Sequence, residues 1–176
     1  MTTPPLRLFF ALPCPAQLTG DITAWRAGVA LEGKPVAPEN LHLTLAFLGA
    51  QPRGQIEPLA ALAASLTPAS FILRLDRLAR WKNGLLHLAP GTLPPELVDL
   101  ERQLRQRLLA AGFSLESRAF KPHLTLARHC TKLPGTPSPT FDWPVSEFAL
   151  FVSENTAKGT RYRVLGQWPL RPQAPT

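Results

Sequence analysis

Leu41-His42-Leu43-Thr44-Leu45-Ala46-Phe47-Leu48 and Pro122-His123-Leu124-Thr125-Leu126-Ala127-Arg128 share the tetrapeptide His-Leu-Thr-Leu, identical in both places and 81 residues apart. Each stretch is an apolar run interrupted by polar residues at every second position, the period of a half-buried β-strand. Alternate side chains on a strand share a face, so His42 and Thr44 point one way and Leu41, Leu43 and Leu45 the other. His123 and Thr125 stand against Leu124 and Leu126 in the same manner. Each strand therefore buries its leucines and presents an imidazole and a hydroxyl about 6–7 Å apart. Two such strands facing each other across a cleft make a symmetric cup of two imidazoles and two hydroxyls.

The surroundings of the two stretches also repeat. Leu6 to Leu12 reads as a buried strand. Pro13 and Pro15 open a helix with Leu18, Ile22, Trp25 and Val29 on one face. A loop over Gly33 to Asn40 leads into the first motif strand, which Gly49 ends, and Ile56, Leu59, Leu62 and Leu66 follow at helical spacing. Phe71 to Trp81 reads as one alternating strand, Lys82-Asn83-Gly84 as a hairpin turn and Leu85 to Ala89 as the return strand. Pro94 and Pro95 then start a helix carrying Leu97, Leu100, Leu104 and Leu108, with Glu101 and Arg105 paired on its outer face. Gly112 ends it before the second motif strand. Leu133 to Pro144 reads as a proline-rich loop, with strands at Val145–Ser153 and Thr160–Leu170. The expectation is an internally duplicated α+β fold.

Two imidazoles and two hydroxyls suit phosphodiester chemistry. A neutral imidazole takes a proton from an attacking water or hydroxyl, and a protonated one gives a proton to the leaving oxygen. The threonine hydroxyls can hydrogen-bond the non-bridging oxygens, where charge sits in the transition state. Histidine fits because its unperturbed pKa of about 6.5 allows both forms near neutrality. The residues alone do not say which histidine is the acid. A zinc site is the competing reading, with His129 and Cys130 just beyond the second strand. No Asp, Glu or Cys lies on either motif strand as a third ligand, so no metal is expected.

The 176 residues carry 19 Lys and Arg, 14 of them Arg, against 12 Asp and Glu, for a net charge of +7. That balance favours a polyanionic partner, and the planar arginine fork suits phosphate oxygens. With 45% hydrophobic and 18% charged residues the composition is globular, and the length fits one compact domain or two small lobes. Cys14 and Cys130 make neither a disulfide framework nor a zinc motif. The apolar run after Arg7 stops at Pro13, too short for a signal peptide, and no run approaches a membrane span. A cytoplasmic protein with no membrane and no obligate protein partner is the expectation.

Two His-x-Thr-x elements about eighty residues apart resemble the two-histidine phosphoesterase superfamily. The likeness is to its bacterial branch, the LigT-like RNA 2′,3′-cyclic phosphodiesterases, also called 2′-5′ RNA ligases. Arg7-Leu8-Phe9-Phe10-Ala11, Asn40-Leu41, Phe120-x-Pro122-His123, Arg128 and Thr160-Arg161-Tyr162 follow the family pattern as well, so the resemblance covers nearly the whole chain. It implies a bilobal α+β fold of pseudo-twofold duplicated antiparallel sheets flanked by helices, with the active site in the central cleft. Residues 1–176 would then form one domain of two intertwined lobes, each giving one His-x-Thr-x strand.

The resemblance further implies RNA ends bearing a 2′,3′-cyclic phosphate, tRNA fragments among them, as partner. His42 would be the proton donor to the leaving 3′ oxygen and His123 the proton acceptor that activates water. The product would be a 2′-phosphate, the reverse reaction a 2′-5′ linkage, and neither a metal nor another cofactor would be needed. Thr44, Thr125 and Arg128 would hold the phosphate. Strict alternation from His123 turns Arg128 to the opposite face, however, and only a strand end or a bulge near Ala127 would bring it inward. Phe47 and Phe120 are candidates to stack on a base, with core packing the first expectation for Phe47. Arg161 and Tyr162, with Arg163, are candidates for the RNA path, a solvated edge strand being the alternative. His87, in an apolar run, reads as structural and His129 as a surface residue. Hydrolysis of another cyclic nucleotide, and a non-catalytic nucleotide- or RNA-binding module, are the competing functions.

Overall fold

The computed structural model describes residues 3–173; the expected domain span of 1–176 extends past them at both ends. The elements run β1 (Leu6–Pro13), α1 (Ala16–Ala27), β2 (Lys34–Pro35), β3 (His42–Gln51), α2 (Ile56–Ala64), β4 (Phe71–Leu75) and β5 (Arg77–Arg80). They continue with β6 (Leu86–Ala89), α3 (Pro95–Ala110), β7 (Leu124–Arg128), β8 (Phe141–Val145), β9 (Glu147–Thr156) and β10 (Gly159–Pro169). One sheet has the order β10-β9-β1-β3-β7-β6-β5 with β2 on β7, and β4 pairs with β8 in a second. Every ladder between named strands is antiparallel.

The duplication is visible in that order. β9, β1 and β3 on one side of the centre correspond to β5, β6 and β7 on the other, and the remaining equivalents, β4 and β8, pair with each other. β3 and β7 meet at Leu43↔Leu124, the first leucine of each tetrapeptide, so the pseudo-twofold axis passes between them. The two strand–helix–strand units, β1-α1-β3 and β6-α3-β7, thus bring their histidines to one centre.

Leu43, Leu45, Leu124 and Leu126 are buried with Leu18 and Ile22 of α1, Leu59 and Ala63 of α2, and Leu97, Leu100, Leu104 and Leu108 of α3. Each buried leucine contributes roughly 1.5–3 kcal/mol, so the four of α3 outweigh its Glu101–Arg105 pair, worth about 0.5 kcal/mol. Gly112 at φ +91° closes this helix. The Gly112 and Phe113 N–H groups donate to the Leu109 and Leu108 carbonyls, a Schellman cap that the sequence position of Gly112 announced. The other face of the large sheet carries Phe9, Ala11, Ala149 and Phe151, with Tyr162 packed against them. Among the described residues no helix is long and apolar enough to cross a membrane.

Several elements differ from the sequence reading. Phe71 to Trp81 is two strands in different sheets, divided at Asp76. The buried residues Phe71, Leu73 and Leu75 are followed by Leu78, a step of three that breaks the strand period. The expected loop before Pro144 contains β8, whose Trp143 and Val145 are buried. Pro144 is tolerated there because a two-stranded sheet leaves one edge of each strand without hydrogen-bond partners. Within the expected loop from Gly33 to Asn40, the short β2 pairs with Ala127 and Arg128. Val29 and Leu66 fall just beyond the ends of α1 and α2.

Candidate active site

The two motif strands carry the same irregularity. On β1–β3, Phe10↔Ala46 is followed by Ala11↔Thr44; on β6–β7, Leu86↔Ala127 is followed by His87↔Thr125. The extra residue is Leu45 in one strand and Leu126 in the other, the last position of each tetrapeptide. A bulge puts two residues opposite one and inverts the alternation beyond it. Phe47 and Arg128, themselves 81 residues apart, therefore return to the face of the histidines and threonines. Arg128 lines the cleft through the bulge at Leu126–Ala127. Phe47 lines it too and is 59% exposed, so the expected core role is corrected: Leu48 takes the buried place.

His42 and His123 are set alike. The Nδ1–H of His42 donates to the Asn40 carbonyl at 2.7 Å, and that of His123 to the Lys121 carbonyl at 2.8 Å. A carbonyl can only accept, so each neutral ring carries its proton on Nδ1 and keeps Nε2 for chemistry. Nε2 of His42 lies 3.0 Å from Thr44 Oγ1. Asn40, whose side chain is buried, also donates from Nδ2 to the Thr160 carbonyl at 2.8 Å and accepts from the Tyr162 N–H at 3.1 Å. It ties edge strand β10 to the backbone that orients His42. The sequence showed Asn40 before the strand but gave it no role.

The rings around the two imidazoles differ. His42 is surrounded by Phe9 at 5.1 Å, Tyr162 edge-on at 5.0 Å and Phe151 at 6.1 Å between centroids. His123 meets Trp81 at 4.5 Å and His87 at 5.5 Å. Phe9 and Trp81 escaped the sequence reading because a wall aromatic and a core aromatic look alike in an apolar run.

A cleft of about 1190 Å³ holds both histidines, both threonines, Phe47, Phe120, Tyr162 and Arg128. Arg7, Arg105, Arg118 and Lys121 also line it; Arg105 is paired with Glu101 and Arg118 with Glu116. Arg7, Lys121 and Arg128 have no ion-pair partner among the described residues and face the cleft as net positive charge. Arg161 is separated from Tyr162 by strand alternation: Tyr162 pairs with Ser153 of the cleft wall, and Arg161 with Glu154 on the other face. Arg163 shares that outer face, paired with Glu154 at 2.5 Å. The expectation that Arg161 lines the RNA path is corrected accordingly. Among the described residues no three His, Cys, Asp or Glu side chains cluster as metal ligands; His129 is exposed and Cys130 buried.

Burial pushes His42 down to about 4, against its Nδ1 hydrogen bond to Asn40, with the charges of His123 and Arg128 lowering it further. Burial also lowers His123, with Arg128 adding to the effect, and lowers His87. Below about pH 6.5 the unfolded chain binds protons that these folded imidazoles refuse, so stability must fall on acidification. Thermal melts are expected to drop steadily from pH 7 towards about 5.5, above the range in which carboxylates titrate. An unchanged midpoint over that range would mean that the three rings charge freely in the fold.

The family described as LigT like Phosphoesterase matches the sequence twice, over residues 12–87 and 88–162. This chain is a LigT-like phosphoesterase. Each match contains one His-Leu-Thr-Leu strand, in keeping with the duplication. The phosphoesterase is 37% identical to the RNA 2′,3′-cyclic phosphodiesterase of Escherichia coli over 171 residues, 94% of this chain and 97% of that protein. To the protein of the same name in Thermus thermophilus it is 33% identical over 186 residues, 94% and 91% of the two chains. Its fold matches the crystal structure of E. coli LigT in apo form with a TM-score of 0.88 at 36% identity, over 96% of this chain and 99% of that one. The complex of LigT with 3′-AMP matches at 0.87 and 36% identity, over 94% and 98%.

Proposed function

We propose that this phosphoesterase hydrolyses RNA 2′,3′-cyclic phosphodiester ends to 2′-phosphomonoesters, with His42 and His123 as its acid–base pair. The observation that carries this reading is the pair of imidazoles, from equivalent strands on one cleft face, each anchored through Nδ1–H and left with Nε2 for proton transfer. His123 Nε2 takes a proton from water as the water oxygen bonds to phosphorus. The bond from phosphorus to the 3′ oxygen breaks, and protonated His42 delivers a proton to that oxygen. With a 5′ hydroxyl in place of water, the same groups join ends through a 2′-5′ linkage. Thr44, Thr125 and Arg128 hold the non-bridging oxygens, and Phe47 and Phe120 offer faces to a base.

On the protein's own groups His42 is the harder of the two to protonate. Its acid role needs the phosphate anion, whose charge raises both imidazoles when it sits between them. The same reading takes the two lobes as one domain, tRNA fragments as substrates and the cytoplasm as the place of action.

An oligonucleotide ending in a 2′,3′-cyclic phosphate, incubated with the protein in excess EDTA, tests the proposal. The expected product is the 2′-phosphate, formed at the same rate with and without chelator, since the motif strands supply only two plausible metal ligands. A 3′-phosphate product, or activity lost in EDTA and restored by zinc or manganese, would overturn it.

A further inference from the structure

His87 takes no part in the chemistry proposed above, yet its ring lies against that of His123. We infer that His87, together with Trp81, is a positioning residue that holds the His123 ring for proton transfer, an inference that rests on His123 being the general base. The three rings touch in a triangle: Trp81–His87 at 4.2 Å, Trp81–His123 at 4.5 Å and His87–His123 at 5.5 Å between centroids. His87 is 3% exposed, so its ring is walled in and cannot swing away.

The hydrogen bonds lock the triangle to the backbone. The Nδ1–H of His87 donates to the Leu85 carbonyl at 3.2 Å, and the backbone N–H of Trp81 donates to the same oxygen at 3.1 Å. The His87 ring and the Trp81 backbone are thereby referred to one atom of the hairpin that joins β5 and β6. The His87 ring makes its hydrogen bond to the Leu85 carbonyl and meets His123 through an edge-to-face ring contact, so the role assigned to it is packing.

The duplication shows why this half needs such a wall. Ala11 is opposite Thr44 where His87 is opposite Thr125, so a methyl on one side is replaced by a ring on the other. His42 is the first residue of β3 and has three aromatic neighbours. His123 precedes β7, at the end of an exposed loop, and has Trp81 and His87. Its bond to the Lys121 carbonyl leaves the ring free to rock about that axis unless its flanks are filled. Misplacement of a catalytic group by about 1 Å can cost on the order of 10²-fold in rate.

His87→Ala is expected to lower kcat about 10- to 100-fold while KM changes little, because substrate contacts stay in place. His87→Phe should recover most of kcat: it restores a flat ring, and Trp81 N–H still satisfies the Leu85 carbonyl. A His87→Ala kcat within about twofold of the parent, or a Phe variant as impaired as the Ala variant, overturns the inference. If His87→Ala does not fold, His87→Leu replaces it, filling the site without a flat ring; equal kcat for Leu and Phe then overturns the inference. His123→Ala run in parallel separates the two levels. Turnover retained by that variant defeats the assignment of the base, whereas its loss beside a normal His87→Ala defeats only the positioning.

Discussion

His42→Ala and His123→Ala are each expected to lower turnover by about 10²–10⁴-fold, the range for loss of one proton-transfer group. The double variant should be little worse than either single one, because a donor and an acceptor that act in one displacement are not independent. All three proteins should keep their fold. The leucines on the other face of these strands are fully buried or nearly so, and neither imidazole is part of that core. Circular dichroism and melting temperature check the fold, and cleavage of a cyclic-phosphate oligonucleotide checks the rate. Near-parental turnover by either folded single variant would remove the two-histidine mechanism.

The pH dependence sharpens this expectation. In the free enzyme both imidazoles lie below their ordinary value, His42 at about 4. The kcat/KM profile, which reports the free enzyme, should therefore be a bell centred below pH 6.5, its limbs belonging to the coupled pair. The bound phosphate anion stabilises both imidazolium forms, so the kcat profile should lie at higher pH. Profiles that coincide would mean that the anion does not sit between the two rings.

The repeated tetrapeptide and its flanking helices could be read because they rest on local rules. Period-two burial located β3 and β7, helical spacing located the core faces of α1, α2 and α3, and Gly112 marked the end of α3. The sharing of one sheet by the two halves, and the pairing of β4 with β8, are long-range facts that local pattern does not carry. β8 was hidden by Pro144 and by the prolines that precede it, although Phe141, Trp143 and Val145 alternate. The site was legible to the extent that it follows strict alternation, as for His42, Thr44, His123 and Thr125. Phe47 and Arg128 were ambiguous because a bulge depends on the neighbouring strand, and β1 and β6 are not adjacent in sequence to their partners. Tyr162 and Asn40 meet across 122 residues, which only the folded sheet reveals. Arg161 failed for the opposite reason, since its strand is regular from Gly159 to Val164 and places it outward.

Arg128→Ala is expected to lower kcat/KM by about 10²-fold, the loss seen when one preorganised donor to a developing oxyanion is removed. The side chain owes its direction to the bulge, and the backbone just beyond it is held from several sides. The Cys130 N–H donates to the Gly84 carbonyl at 2.9 Å, and Arg80 Nε donates to the Cys130 carbonyl at 2.6 Å. Between Arg128 and Cys130, His129 takes a left-handed φ of 59°, and Gly33 approaches so closely that a Cβ there would fall 2.3 Å from the Arg128 carbonyl. Arg128 is thus presented by a braced turn rather than by a free strand end. Arg128→Lys keeps the charge but loses the planar fork that fits two phosphate oxygens, so its rate should fall between those of the parent and the alanine variant. A second signature separates a role at the phosphate from a structural one. The Arg128 charge pushes both imidazoles down; its removal must raise both and carry the kcat/KM maximum to higher pH, whereas lysine should leave it near its original place. An alanine variant with parental kcat/KM and an unmoved pH maximum would show that Arg128 does not act on the phosphate or on the histidines, and that the shared bulge serves only to pack Leu126.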